Sequence, residues 1–142
     1  MVNAKSDTAH RRIAALAALA LVVPLSFLMK FYQGSGQWWV NNWGASVGYE
    51  MFFMLIAFIV YPRPEATKRI AIGVCVATCV LEFLQLWQPG WLQATRSTFV
   101  GRSILGDAFS WRDFPAYPLG CYLGWLLLRK ISKITPVGGA AR

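Results

Sequence analysis

Residues 75–117 read CVATCVLEFLQLWQPGWLQATRSTFVGRSILGDAFSWRDFPAY. Glu82, Gln85, Arg96, Asp107 and Asp113 stand there, inside or beside segments otherwise suited only to lipid. On a helix, Ala71, Cys75, Thr78, Glu82 and Gln85 recur at alternating steps of four and three and share one face, while Val74, Phe83, Leu84 and Trp87 lie largely elsewhere. A stripe of small and polar residues on an apolar helix is where membrane helices pack, because small side chains permit close approach and polar ones find partners away from lipid. The fold expected from this stretch is all-α, in a polytopic membrane protein.

The rest of the chain agrees. Its 142 residues are 56% hydrophobic and 15% aromatic but only 14% charged. That is too apolar and too charge-poor for an ordinary soluble domain, so one integral-membrane domain over residues 1–142 is expected. The net charge of +8 could suit a nucleic acid, but the Lys and Arg residues flank apolar runs rather than gathering on one water-facing patch, so no nucleic-acid partner is expected. Cys75, Cys79 and Cys121 fall within apolar segments and lack paired extramembrane spacing, which implies no disulfide framework. His10 is the only histidine and lies in the polar N-terminal stretch. His-based metal sites and Ser/His or Cys/His catalysis therefore have no raw material, and no metal or cofactor is expected.

Four spans follow, at about residues 13–32, 46–61, 67–87 and 113–128. Met1 to Arg12 reads as a polar tail, and the run after it, with Pro24 as a kink, lacks a convincing signal-peptide cleavage site. Gln33 to Ala45, with Trp38, Trp39 and Trp43 among Gly and Asn, reads as an interfacial loop where indole rings settle at headgroup level. Pro62 and Pro64 stop the second span, Pro89-Gly90 the third, and Pro115 and Pro118 fall in the opening turns of the fourth. Trp91 to Trp111 is too long and apolar for a simple loop and suggests a short interfacial or re-entrant helix. Ser110 with Asp113 three residues on resembles a capping box for the last span, and Gly120 and Gly124 form a GxxxG packing step.

Four spans put Lys5, Arg11, Arg12, Arg63, Lys68, Arg69, Arg129, Lys130, Lys133 and Arg142 on one side, against Lys30, Arg96, Arg102 and Arg112 on the other. By the positive-inside rule both termini are cytoplasmic. Glu82 then lies in the outer leaflet, roughly 7 to 8 Å along the axis from Trp87. Glu50, read as one turn into the second span, is expected at a similar depth. An ionised side chain within a span costs about 2.5 to 3.5 kcal/mol even on the mild insertion scale, which makes such a residue a candidate site with a partner. Arg96 is the expected partner of Glu82 and Arg102 the second choice. The candidate polar cluster is Glu50, Glu82, Gln85, Arg96, Arg102, Asp107, Asp113 and Tyr117.

The order Glu82-x-x-Gln85, Arg96, Asp113, Tyr117, Gly120 and Gly124 resembles VanZ-like bacterial membrane proteins, in which E-x-x-Q on one span is followed by an Arg and then by an Asp-x-x-x-Asn-x-x-Gly opening the last span. The connection between Arg96 and Asp113 is longer than in that pattern, and Tyr117 stands where it has Asn. The stretch from Trp38-Trp39 to Trp125, with Glu82-Phe83-x-Gln85-Leu86, Arg96-Ser97-Thr98 and Gly101, is more closely similar to the bacterial membrane proteins of domain-of-unknown-function family 2809. The resemblance implies four spans in a bacterial plasma or internal membrane and, from VanZ, a part in glycopeptide-antibiotic resistance at the cell envelope.

The leading functional expectation is an outward pocket binding an anionic or sugar-bearing lipid headgroup, with Arg96 and Arg102 on phosphate and Glu82, Gln85 and Asp113 orienting Arg96 or accepting hydroxyl hydrogen bonds. An accessory subunit of a larger membrane complex, or a homo-oligomer, docking through aromatic and GxxxG faces, is the alternative. A membrane enzyme using Glu82 or Asp107 as general base is the second alternative. Proton translocation has a poor relay, since Thr78, Cys75 and Cys79 are all that follow Glu82 inward.

Overall fold

A computed structural model describes residues 2–105 and 109–134, so Asp107 and Arg142 lie outside the described residues. Among those described, the structure is helical, without strands. Helix α1 (Val2–Lys30) is followed by a turn at Gly36, whose φ of 72° suits glycine. Helix α2 (Gln37–Trp39) passes through a π-helical stretch (Val40–Gly44) into α3 (Ala45–Val60). A 3₁₀ turn (Pro64–Ala66) leads to α4 (Thr67–Leu84); two short helices, α5 (Gly90–Ser97) and α6 (Phe99–Leu105), then precede α7 (Ala116–Ser132).

Three boundaries differ from expectation. Residues expected as a polar tail are helical, continuous with the apolar run after them, and polar side chains there bond to the preceding turn: the Thr8 hydroxyl donates to the Ala4 carbonyl at 2.9 Å, and His10 Nδ1 lies 2.7 Å from the Ser6 carbonyl. The tryptophan segment is helix rather than loop from Gln37 onward. Trp38, Trp39 and Trp43 pack edge to face with ring centroids 4.9 and 5.0 Å apart, and Asn42 Nδ2 donates to the Trp38 carbonyl at 2.7 Å, so the rings and Asn42 find partners along a helix, while Asn41 Oδ1 and Trp43 Nε1 have no hydrogen-bond partner among the described residues. The last helix starts at Ala116, which leaves Asp113 in the connection. Its side chain forms no cap. Instead the Asp113 carbonyl accepts from the Ala116 and Tyr117 amides, and the Ser110 amide is drawn elsewhere.

Ala4–Lys30 and Gln37–Val60 are helical segments long and apolar enough to cross a membrane. Helix α3 is central. Antiparallel α1 packs on it with Ser26 against Gly48, and Arg12 Nε donates to the Ile59 carbonyl at 3.1 Å, closing the C-terminus of α3. Helix α7 runs parallel to α3: a Cβ at Gly120 would meet Glu50 Cβ at 2.9 Å and Val47 Cα at 3.0 Å, and one at Gly124 would meet Met54 Sδ at 2.6 Å. The GxxxG step is thus the seam between α3 and α7. Helix α4 returns antiparallel to both, and its buried residues include Ala71, Thr78, Glu82 and the following Gln85, the stripe read from the sequence.

The core joins Ala15, Met54, Leu55, Phe58, Ala71, Cys121, Leu128 and Ile131. Polarity is otherwise inverted relative to a soluble protein. Glu50 is 0% and Glu82 2% exposed, whereas Leu21 is 72%, Phe31 74% and Phe99 78% exposed. The helix directions place Arg12, Arg63, Arg69 and Arg129 at one end and Lys30, Arg96 and Arg112 at the other.

Candidate functional site

The polar centre lies where α3, α4 and α7 meet, in two layers. In the upper layer Glu82, on α4, is held by three donors. Its Oε1 accepts the Ser110 amide at 2.7 Å, and its Oε2 accepts the Tyr117 hydroxyl at 2.6 Å and Gln85 Nε2 at 3.2 Å. Tyr117 comes from the first turn of α7 and Gln85 lies three residues beyond Glu82, so the carboxylate ties α4 to α7 and to the connection between them.

One helical turn deeper sits Glu50. Cys121, four residues after Tyr117 on α7, donates its thiol to Glu50 Oε2 at 3.1 Å, Thr78 of α4 faces the same carboxyl, and Glu50 Oε1 has no hydrogen-bond partner among the described residues. The sequence placed Glu50 level with Glu82. It is deeper because its helix begins at Gln37 rather than Ser46, leaving Glu50 about 20 Å from the helix start. Thr78 and Glu82 on α4, and Cys121 and Tyr117 on α7, are each one turn apart and set the spacing of the layers.

Arg96 does not pair with Glu82. It is buried on α5, and its guanidinium donates to the Leu84 carbonyl at 3.0 Å and the Trp87 carbonyl at 3.4 Å. The reason is local: α4 ends at Leu84 ahead of Pro89, its final carbonyls lack helical partners, and α5 folds back over them. Arg102 stands on the exposed side of α6. Asp113 is half-buried ahead of α7; burial first, then the charge of Glu82, raise its carboxyl above the usual aspartate range, while Lys30 pulls it back. The centre thus gathers Glu82, Gln85 and Tyr117, with Glu50 one turn below and Asp113 alongside.

Further ties hold the connection down. The Tyr49 hydroxyl donates to the Ile104 carbonyl at 2.5 Å, bonding α3 to α6, and Arg112 lies over the Trp38 ring, 5.5 Å from its centroid. Thr98 caps α6 by accepting the Gly101 amide at 3.0 Å, and a Cβ at Gly101 would collide with the Thr95 carbonyl. Arg96-Ser97-Thr98 and Gly101 therefore serve the fold of this connection. Phe83, Phe109, Trp111 and Phe114 stack over it, with centroids between 4.9 and 6.3 Å apart.

Residues 35–121 match the family model described as a protein of unknown function (DUF2809), more than half of the chain. The chain belongs to this family. The matched region opens just before α2 and closes at Cys121, so it takes in both carboxylates, Arg96 and Tyr117. No solved structure matches the chain.

Sequence reasoning missed Ser110 as a donor, Cys121 as the partner of Glu50, and Tyr49. Cys121 could have been found from its step of four after Tyr117; Ser110 acts through its backbone, which no side-chain pattern announces. The three cysteines are free thiols. Among the described residues no three His, Cys, Asp or Glu side chains converge as metal ligands.

Proposed function

We propose that the chain is a four-span bacterial membrane protein, with α1, the α2–α3 unit, α4 and α7 crossing the bilayer and both termini cytoplasmic, and that it works as an accessory component associating with other membrane subunits. The inverted polarity supports the spans: the helices bury Glu50 and Glu82 and expose Leu21, Val76, Val80 and Leu123. Helices α4 and α7 have 18 and 17 residues, about 27 and 26 Å at 1.5 Å each, close to the hydrocarbon thickness of roughly 30 Å.

One observation carries the functional choice. Three protein donors occupy the Glu82 carboxylate, and the guanidinium of Arg96 is engaged by two carbonyls. An outward headgroup pocket and a carboxylate-base enzyme both need these groups open to a ligand. The arrangement suits a latch that fixes the outer face, leaving the apolar helix surfaces to associate within the bilayer.

The test joins two measurements. Glu82→Gln should lower the unfolding temperature in detergent and expose the connection around Ser110, which it holds, to proteases, and mild-detergent purification of the wild type should bring stoichiometric partner subunits. A monomer purified alone, or a Glu82→Gln protein as stable and protease-resistant as wild type, would overturn the proposal.

A further inference from the structure

At the end opposite the Glu82 centre, the turn between α3 and α4 forms a groove of about 560 Å³ lined by Tyr61, Arg63, Glu65, Ala66, Arg69 and Ile70. The Arg63 guanidinium lies over the Tyr61 ring, 4.5 Å from its centroid, which holds it at the rim. Arg69 is on the first turns of α4 and exposed. Among the described residues neither guanidinium is paired with a carboxylate. Glu65 is the one acidic residue in the lining, against two arginines.

Exposed apolar side chains flank this charge. Val60, at the last turn of α3, is 72% exposed, and Ile72, one turn into α4 beyond Arg69, is 55% exposed. A soluble anion would use the guanidinium groups and leave those surfaces idle. A phospholipid uses both, with its phosphodiester between the arginines and its acyl chains along α3 and α4. Arginine suits the phosphate because its planar fork matches two oxygens at once.

We propose that this groove binds the headgroup of an anionic phospholipid. The site rests on the four-span reading, which places the α3–α4 turn at the cytoplasmic surface, and it is independent of the accessory role.

Full-length protein in nanodiscs or detergent, probed by native mass spectrometry with phosphatidylglycerol, phosphatidylcholine and inorganic phosphate separately, tests it. Each basic residue at an anionic surface contributes about fivefold in affinity, so Arg63→Gln/Arg69→Gln together should weaken phosphatidylglycerol binding roughly 30-fold. Phosphatidylcholine should bind the wild type and the variant alike, and Lys30→Gln, at the opposite end of the bundle, should bind phosphatidylglycerol as wild type does. Circular dichroism should show the double variant folded. Equal binding of the two lipids to wild type, full phosphatidylglycerol binding by the folded double variant, or inorganic phosphate competing it away at similar concentration would overturn the site. Alkaline carbonate extraction separates the underlying reading: protein retained in the membrane without lipid discrimination refutes the groove alone, whereas protein released by carbonate refutes the spans and the site with them.

Discussion

The Tyr117 hydroxyl donates to Glu82 Oε2 at 2.6 Å, joining the first turn of α7 to the last turn of α4 at a position only 2% exposed. Interhelical hydrogen bonds between membrane helices average only about 0.6 kcal/mol, because the separated helices find other partners. This acceptor is a carboxylate, and its remaining contact on the same oxygen is the longer one from Gln85. The larger range for bonds to charged groups applies. Tyr117→Phe keeps the ring packing and should cost about 1.5–3 kcal/mol, read as a lower unfolding temperature in detergent.

The two glycines of α7 separate a rigid neighbour from a compliant one. At Gly120 a methyl group meets Glu50 Cβ at 2.9 Å and Val47 Cα at 3.0 Å, atoms that move only if a helix moves. At Gly124 it meets Met54 Sδ at 2.6 Å and Cε at 3.1 Å, the far end of a flexible side chain. Gly120→Ala should destabilise by about 1–3 kcal/mol and disturb the Cys121 to Glu50 contact, whereas Gly124→Ala should cost about 1 kcal/mol or less. Thermal unfolding of the two variants side by side checks the order.

The inward face of α4 was legible in the sequence because a helix fixes which residues share a face: Ala71, Cys75, Thr78, Glu82 and Gln85 follow its period. Breaks at Pro62-Pro64 and Pro89 were legible for the same reason, since a missing N–H and a fixed φ act locally. The partner of Glu82 was not. Opposite charge pointed to Arg96, but the carbonyls of Leu84 and Trp87, at and beyond the end of α4, lie within its reach and take its donors. The depth of Glu50 was hidden by the tryptophan segment, whose composition suggests an interface while its side chains stack as a helix.

Asp113 gives the centre a pH dependence with a definite sign. Its carboxyl is raised above the ordinary value of 3.8 by burial and by Glu82. The folded protein therefore holds that proton more tightly than the unfolded chain, and this contribution to stability is present below the unfolded value and lost as pH rises through the folded one. Asp113→Asn removes the loss. The variant should unfold at a higher temperature than wild type at neutral pH, with the difference shrinking toward pH 4. A constant difference across that range would assign the effect to packing instead.

Arg96 closes the C-terminus of α4 from a neighbouring helix, which makes a prediction about place as well as magnitude. Its two bonds go to Leu84 and Trp87, and the backbone between them turns by short-range bonds from the amides of Leu86 and Trp87 to the carbonyls of Phe83 and Leu84. Hydrogen bonds from a charged donor contribute about 1.5–3 kcal/mol, and the end of a helix adds a favourable field for a cation. Arg96→Met keeps much of the buried stem but removes both charged donors, leaving the Leu84 carbonyl with only the Trp87 amide. It should lower stability by that amount and open residues 85–89 to proteolysis before the rest of the chain unfolds. Arg96→Lys restores the charge without the planar fork, reaches one carbonyl rather than two, and should fall between the two proteins. Limited proteolysis with mapped cleavage sites distinguishes this from a Glu82 to Arg96 ion pair, for which Glu82→Gln would produce the same cleavage at residues 85–89 and combining the two substitutions would add nothing further.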